Sequence, residues 1–262
     1  MLYAGIDIGS QSTEFVIIDD NKELVSYSII PTGAVHSEAA SKALEEACEN
    51  ANCNIEDIGY IVSTGYGRKN VTLANKNVTE ITCHVKGAFH LNPNIRTILD
   101  IGGQDSKVIK VGADGSVLDF IMNEKCAAGT GRFLETIARV LDVDLNDMGL
   151  MSLDSQRDIK LSSTCTVFAE SEVISKIAEG IEIVDILKGV HGSICDRAIS
   201  MLEKVGIEES LAMTGGVAKN IGVINILSKK LGVDVFVSNE PQIIGALGAA
   251  IFAYEMNKKE LK

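Results

Sequence analysis

The segment Asp7-Ile8-Gly9-Ser10-Gln11-Ser12-Thr13 recurs in altered form as Asp100-Ile101-Gly102-Gly103-Gln104-Asp105-Ser106. The two segments share Asp, Ile, Gly and Gln in register, and Ser replaces Thr at the last position. Apolar runs flank each turn and return at residues 15–18 and 108–111, so each copy predicts a β-hairpin. A recurrence at this distance predicts two related domains that face one another, each with a glycine turn and a carboxylate. A chance likeness is the alternative, because the match is short.

The composition narrows the class of protein. The chain has 262 residues, 46% of them hydrophobic, with 24 glycines and 3 prolines, which suits an α/β protein of two domains. A net charge of −12 argues against nucleic acid as a partner, although backbone donors and a divalent cation could still bind a nucleotide. No apolar run approaches the ~18 residues that cross a bilayer, and a strand pattern starts at residue 3, so no membrane segment or signal peptide is expected. The six cysteines therefore suggest a reducing, cytoplasmic location with thiols or metal ligands.

Two kinds of glycine turn have the composition of nucleotide-binding loops. After the strand that ends at Asp7, small residues offer N–H groups and hydroxyls that can surround a phosphate, and the carboxylate could hold Mg²⁺ through water. A predicted strand at residues 211–213 leads to Gly215-Gly216 and then to a helix, which lets a flat purine ring lie against bare backbone. An ordinary hairpin and an ordinary strand-to-helix connection are the alternatives.

Glu80 precedes a short predicted helix at residues 81–88. A carboxylate in a first helical turn can be favoured by the helix dipole alone. Glu80 could instead orient a water molecule for attack on a phosphate. His84 and His90 are expected to be structural, because the neighbouring sequence does not supply further ligands for a two-histidine metal site.

Two cysteines stand at predicted helix starts. Cys126 follows an extended segment and Cys165 opens a later helix, on either side of a stretch, residues 142–158, that is expected to be irregular. The apolar stripe of the second helix is predicted to be Phe168, Val173, Ile174, Ile177 and Ile181. A helix N-terminus favours a thiolate, the form that binds metal. Two thiols do not close a metal site, whereas a two-fold dimer would bring four together for an iron–sulfur cubane or a tetrahedral zinc. Two buried, inert thiols are the alternative.

The order of these motifs resembles the actin, sugar-kinase and heat-shock-protein-70 ATPase superfamily: two Asp-x-Gly turns, the Glu80 helix, the Gly215-Gly216 turn and a small-residue helix with Gly245 and Gly248. The resemblance implies an α/β fold of two related ribonuclease-H-like domains with a nucleotide cleft between them. We expect an N-terminal domain over residues 1–94, completed by a C-terminal helix at about 243–262. The second domain is expected over residues 95–242, with the cysteines and the adenosine turn.

The cysteine motifs narrow the resemblance. Residues Lys125-Cys126-Ala127-Ala128-Gly129-Thr130-Gly131 and Ser163-Thr164-Cys165-Thr166-Val167-Phe168-Ala169-Glu170-Ser171-Glu172 closely resemble the activator component of 2-hydroxyacyl-CoA dehydratases. This resemblance implies a homodimer with one [4Fe-4S] cluster at the subunit interface, bound by Cys126 and Cys165 of each subunit. It implies that ATP binding and hydrolysis to ADP, with Mg²⁺, drive one electron from a ferredoxin or flavodoxin onto a separate dehydratase in an anaerobic cell.

The resemblance also assigns residues to the nucleotide. The first phosphate turn comprises Asp7, Gly9, Ser10, Gln11, Ser12 and Thr13. The second phosphate turn comprises Gly102, Gly103, Gln104 and Asp105, and the adenosine turn comprises Gly215, Gly216 and Lys219. Glu80 is expected to activate the attacking water, Asp100 and Asp105 are expected to help Mg²⁺, and Asp7 and Gln104 complete the predicted catalytic set.

Three other functions compete with this one. The ATPase subunit of an ATP-dependent aromatic-acyl-CoA reductase would share the fold and the cluster but would work with unlike subunits. A small-molecule kinase of the sugar-kinase type would need a sugar site with a catalytic Asp and no cysteine pair. A non-catalytic, zinc-linked dimer would be recognised by metal analysis.

Overall fold

A computed structural model of the chain describes residues 1–124, 126–161, 165–208 and 210–260. Lys125, Ser163 and Thr164 of the quoted cysteine motifs, and residues 261–262 of the predicted C-terminal helix, lie outside the described residues. Contacts divide the chain into two compact units: the first is Met1–Ile95, Val111–Leu118 and Gln242–Lys262, and the second is Arg96–Lys110 and Asp119–Pro241. The domain boundaries expected from the sequence, after residues 94 and 242, stay a prediction.

Strands and helices are interspersed along the chain, as expected of an α/β protein. The strands are β1 (Leu2–Ile8), β2 (Ser12–Ile18), β3 (Leu24–Pro31), β4 (Ile58–Thr64), β5 (Lys76–Asn77), β6 (Thr97–Ile101), β7 (Ser106–Val111), β8 (Val117–Asn123), β9 (Leu211–Thr214) and β10 (Val235–Phe236). The helices are α1 (His36–Ala51), α2 (Glu80–Leu91), α3 (Gly131–Leu141), α4 (Met148–Leu153), α5 (Thr166–Ala178), α6 (Ile183–Val205), α7 (Ile221–Leu231) and α8 (Ile244–Glu260). Among the described helices, none combines the length and the apolar content that crossing a bilayer demands.

The first unit contains a sheet with the strand order β3-β2-β1-β4-β5. Strands β1, β2 and β3 pair antiparallel, and β4 and β5 pair parallel to β1 and β4. Side chains that alternate along β1 enter two different cores: Ala4, Ile6 and Ile8 pack with α1, and Tyr3 packs with α8. Burial of both faces explains why β1 is an almost continuous apolar run rather than an alternating pattern.

The second unit repeats this architecture. Its sheet has the order β10-β9-β6-β7-β8, which is the order of the first sheet when β6 is matched to β1, β7 to β2, β8 to β3, β9 to β4 and β10 to β5. Three of the matched pairs also agree in direction, since β6 pairs antiparallel with β7, and β9 pairs parallel with both β6 and β10. The predicted actin-like α/β fold with two related halves is confirmed.

The strand register aligns the two copies residue by residue. Asp7 lies opposite Glu14 on β2 and beside Thr64 on β4. Asp100 lies opposite Lys107 on β7 and beside Thr214 on β9. The seven-residue repeat in the sequence is therefore part of a longer structural repeat. In each unit a Thr-Gly pair, Thr64-Gly65 or Thr214-Gly215, lies beside the aspartate of the repeat.

Helix α8 packs closely against α2 and the first sheet, as its small residues predict. A Cβ atom at Gly248 would overlap the carbonyl oxygen of Cys83 in α2, so only glycine permits this separation. The close approach ties the C-terminal helix into the first unit.

Two local expectations were wrong. Residues 142–158 are not wholly irregular, because α4 forms there and buries Met148 in the core of the second unit. A helix of six residues is too short to give a recognisable apolar period. Cys126 does not start an α-helix either: it precedes a single 3-10 turn, Ala127–Gly129, and α3 begins at Gly131.

Candidate functional site

The first glycine turn is braced by hydrogen bonds within the first unit. The Gly9 N–H donates to the Ser12 carbonyl oxygen at 2.9 Å. The Gln242 amide donates to the Ser12 hydroxyl at 2.9 Å and to Glu14 Oε1 at 3.0 Å. Thr13 is buried, whereas Gly9, Ser10, Gln11 and Ser12 are exposed or half-buried. The turn is thus fixed on its inner side while its tip can meet a ligand.

Asp7 is buried at the end of β1 and lies close to a histidine that the sequence analysis treated as structural. His84 Nε2 is 3.9 Å from Asp7 Oδ2 and 3.9 Å from Glu80 Oε1. Glu80 is the first residue of α2, where the Thr79 side chain caps the helix. The first unit therefore brings Asp7, His84 and Glu80 together. The spacing of four residues between Glu80 and His84 on one helix was the signal for this cluster.

The second glycine turn has the same closure. The Gly102 N–H donates to the Asp105 carbonyl oxygen at 3.0 Å. The first N–H groups of α3, from Gly131 and Arg132, donate to the carbonyl oxygens of Gly102 and Gly103 at 2.9 Å. Gln104 is exposed at the tip of the turn. The helix that follows the Cys126 segment thus begins directly on this turn.

A buried lysine that the sequence analysis missed joins the acidic residues of the second turn. The Lys107 ammonium is 2.7 Å from Asp105 Oδ2 and 3.2 Å from Asp100 Oδ2. The other oxygen of Asp100 accepts a hydrogen bond from the Thr214 hydroxyl at 2.8 Å. Asp100 and Lys107 are both buried, and Asp105 is half-buried. Both carboxylates predicted to help Mg²⁺ already contact a fixed cation.

The predicted adenosine turn follows β9. Gly215 has φ 83° and ψ 172°, a conformation that is essentially restricted to glycine, and a Cβ atom there would overlap the Ile101 carbonyl oxygen. Gly216 then opens a 3-10 turn that ends at Lys219, and the Asn220 side chain caps α7 by accepting from the Val223 N–H at 3.1 Å. The Lys219 ammonium is 2.9 Å from a Glu240 carboxylate oxygen.

This turn also belongs to the internal repeat. Gly65 has φ 84° directly after Thr64, as Gly215 has φ 83° directly after Thr214. In each unit, a Cβ atom on this glycine would meet the carboxylate of the strand-end aspartate, Asp7 or Asp100. The glycine thus makes room for a buried carboxylate.

Cys126 and Cys165 are both found in the second unit, at different kinds of position. Cys165 is exposed and occupies the N-cap of α5. Cys126 is half-buried, and Arg197 Nη1 donates to its sulfur at 3.7 Å. The guanidinium of Arg197 places a positive charge beside this sulfur, the kind of environment in which reactive and metal-binding cysteines are found. The alternative of two buried, inert thiols fails for Cys165.

Three other cysteines have the properties of inert thiols. Cys48, Cys83 and Cys195 are buried, and burial raises the pKa of each to about 12. Thiols that stay protonated and inaccessible do not bind metal at neutral pH. Cys126, Cys165 and the half-buried Cys53 are the accessible cysteines of the chain.

The apolar stripe predicted for α5 faces outward over most of its length. Val173 is buried and Ile181 packs against the core, but Phe168, Ile174 and Ile177 are exposed, as is Val167. Phe168 is 69% exposed. Most of the predicted stripe is therefore not buried within the single chain. Helical periodicity does not distinguish a face that meets the core from one that meets a second molecule.

Comparison with known proteins gives a consistent assignment. The sequence profile of the BadF/BadG/BcrA/BcrD ATPase family matches residues 4–253. The chain is 47% identical to the activator of lactoyl-CoA dehydratase from Anaerotignum propionicum over 260 residues, 99% of this chain and 100% of the relative. It is 30% identical over 266 residues to one of the subunits of benzoyl-CoA reductase from Thauera aromatica, covering 98% and 94% of the two chains.

A solved structure agrees over the whole length. The activator of the 2-hydroxyisocaproyl-CoA dehydratase from Clostridium difficile, with bound ADPNP, superposes with a TM-score of 0.96 at 41% identity, covering 100% of this chain and 97% of that one. The repeated Asp-x-Gly and Thr-Gly corners, the glycine turn before α7 and these matches lead to one conclusion. The chain belongs to the BadF/BadG/BcrA/BcrD family of ATPases.

Proposed function

We propose that this chain is an ATP-hydrolysing activator that passes one electron from a reduced ferredoxin or flavodoxin to a 2-hydroxyacyl-CoA dehydratase. The observation that carries the proposal is the pair of accessible thiols, Cys126 and Cys165, in a chain that also has the phosphate turns of an ATPase family. The names of the most similar relatives support the choice of a dehydratase as the partner. The activity of a benzoyl-CoA reductase component is the weaker alternative, because the identity to that relative is 30% rather than 47%.

The residues around Cys126 and Cys165 fit a [4Fe-4S] cluster shared by two copies of the chain. One copy supplies two thiols, and the outward apolar face of α5 beside Cys165 offers a surface that a second copy would bury. The cluster, when bound by four such thiolates, supplies a one-electron carrier. Arg197 orients and partly neutralises the Cys126 sulfur, and the N-cap position of Cys165 places backbone N–H groups of α5 near the second sulfur.

The nucleotide chemistry rests on residues of both turns. The N–H groups and hydroxyls of residues 9–13 and the backbone of residues 102–105 bind phosphate oxygens, and Gly215, Gly216 and Lys219 bind the adenosine. Asp7 lies where it can hold the divalent ion of Mg-ATP through water. Glu80 orients the attacking water, and His84, within 3.9 Å of both carboxylates, fixes their relative position. ATP can promote electron transfer only through a difference in its affinity for two states of the chain.

The test is the iron and sulfide content of protein purified without oxygen, together with its visible spectrum and its binding of an ATP analogue. We expect Cys126→Ser and Cys165→Ser to lose iron and visible absorbance while nucleotide binding survives. Cys53→Ser is the matched control, because Cys53 is also accessible but lies in the first unit, and it should keep both properties. Unchanged iron in the first two variants would remove the cluster from the proposal, and bound zinc would indicate a structural dimer instead.

A further inference from the structure

Lys107 has an environment that few lysines have in proteins. It is 1% exposed, on the inner strand β7, and its ammonium contacts the carboxylates of Asp100 and Asp105 at 3.2 and 2.7 Å. A buried ammonium is costly unless anionic partners surround it, and two carboxylates provide that compensation. The same contacts fix the two carboxylates relative to each other.

The internal repeat shows that a lysine here is not required by the fold. Lys107 lies directly opposite Asp100, and Glu14 lies at the matching place opposite Asp7. Both glutamate and lysine are buried, so the same backbone accepts either charge. The first corner therefore has two carboxylates facing one another, and the second has a carboxylate facing an ammonium.

This difference has a chemical consequence for divalent cations. Mg²⁺ and Mn²⁺ bind through carboxylate oxygens and need negative charge that is not already neutralised. At the second turn, the ammonium contacts one oxygen of each carboxylate, and the Thr214 hydroxyl contacts the remaining oxygen of Asp100. A metal ion that entered between Asp100 and Asp105 would have to displace a buried cation.

We propose that Lys107 is the built-in cation of the second turn: it holds Asp100 and Asp105 in position and keeps a divalent metal from binding between them. Lys107 is a positioning residue in this scheme. The two carboxylates orient polar groups at the second turn and do not hold a metal ion between them, which differs from the joint help with Mg²⁺ that the sequence analysis gave them. The assignment to nucleotide hydrolysis rests on the proposed function, but the exclusion of metal does not.

The experiment measures Mn²⁺ binding by electron paramagnetic resonance on the intact protein without nucleotide. We expect Lys107→Met to bind about one additional Mn²⁺ per chain, at least roughly tenfold more tightly than wild type, because removing the ammonium restores anionic oxygen ligands. The double variant Lys107→Met with Asp105→Asn should lose the added site. Lys107→Arg, which keeps the charge, should bind no more Mn²⁺ than wild type.

Each outcome decides the proposal. A folded Lys107→Met protein with the wild-type Mn²⁺ affinity would overturn it. The single variant Asp105→Asn tests the proposal if Lys107→Met does not fold. Because Lys107 is still present, Asp105→Asn should leave Mn²⁺ binding unchanged. A loss of bound Mn²⁺ would show that the metal already uses Asp105, which would overturn the proposal. The measurement needs neither iron nor a dehydratase, so its failure is distinguishable from a failure of the proposed function.

Discussion

Acid should destabilise the second unit through a single buried histidine. His191 in α6 is fully buried, and its Nε2 is 3.1 Å from the Asn220 amide nitrogen. The Asn220 oxygen accepts from the Val223 N–H, so the amide presents its donor to His191 and the neutral ring accepts. Among the described residues, His191 Nδ1 has no hydrogen-bond partner. Burial lowers the pKa of His191 from 6.5 to about 4.

The size and direction of the effect follow from that pKa. The unfolded chain takes up a proton on His191 near pH 6.5, whereas the folded chain does so only near pH 4, so acid favours unfolding between these values. The contribution of His191 to stability is complete above pH 6.5 and is lost as the pH falls toward 4. At about 1.36 kcal/mol for each pKa unit, the full loss is about 3 kcal/mol, and about 2 kcal/mol of it occurs between pH 7 and pH 5.

The assay is denaturant unfolding of wild type and His191→Gln at pH 7 and pH 5, under anaerobic conditions. Glutamine can still accept from Asn220 but does not titrate. Carboxylates that titrate in the same range affect both proteins alike, so the difference between the two pH dependences isolates His191. We expect wild type to lose about 2 kcal/mol more than the variant over this interval. Equal losses would refute the argument that His191 stays neutral in the folded chain.

Three further predictions concern the candidate site. Glu80→Gln should leave the affinity for ATP within about threefold of wild type and slow hydrolysis, measured as phosphate release, by about 10²-fold or more. An unchanged rate of hydrolysis would exclude Glu80 as the group that orients water. Arg197→Gln removes the positive charge 3.7 Å from Cys126 Sγ and should lower the reduction potential of the proposed cluster, measured by a spectroscopic redox titration. About 59 mV corresponds to a tenfold change in the equilibrium constant for one electron, and a raised potential would contradict the prediction. Gly215→Ala should reduce the free energy of unfolding by at least about 2 kcal/mol, because a side chain there strains the backbone and overlaps Ile101. The control is Gly180→Ala, which should reduce it by less, because Gly180 also has positive φ but has open space around it.

The fold was largely predictable because the residues that determine the backbone conformation of the two turns recur in the sequence. Asp-x-Gly at residues 7–9 and 100–102 marks where a buried strand ends and a hairpin turns, and neither depends on distant contacts. The helix predicted after the Gly215-Gly216 turn is α7, which Asn220 caps at its start and Gly232 follows at its end. Helix α4 was missed because its burial depends on α6 and α7, which are distant in sequence.

The candidate site was only partly predictable, because some contacts cross the sheet. Lys107 is buried because β6 pairs with β7 and two carboxylates contact its ammonium. These contacts are not visible in the sequence, where Lys107 cannot be distinguished from a surface lysine. The exposed face of α5 presented the opposite difficulty. Phe168 and Ile174 have the pattern of core residues, and periodicity alone does not tell whether the partner is the same chain or another.

The two copies of the turn share the residues that determine the backbone conformation and differ in a charged residue. Both keep a glycine closure and a Thr-Gly step beside a buried aspartate. They differ in the residue opposite that aspartate, which is Glu14 in one copy and Lys107 in the other. The residue facing the strand-end aspartate is therefore an anion in the first unit and a cation in the second, so under our proposal a divalent ion can bind beside Asp7 but not between Asp100 and Asp105.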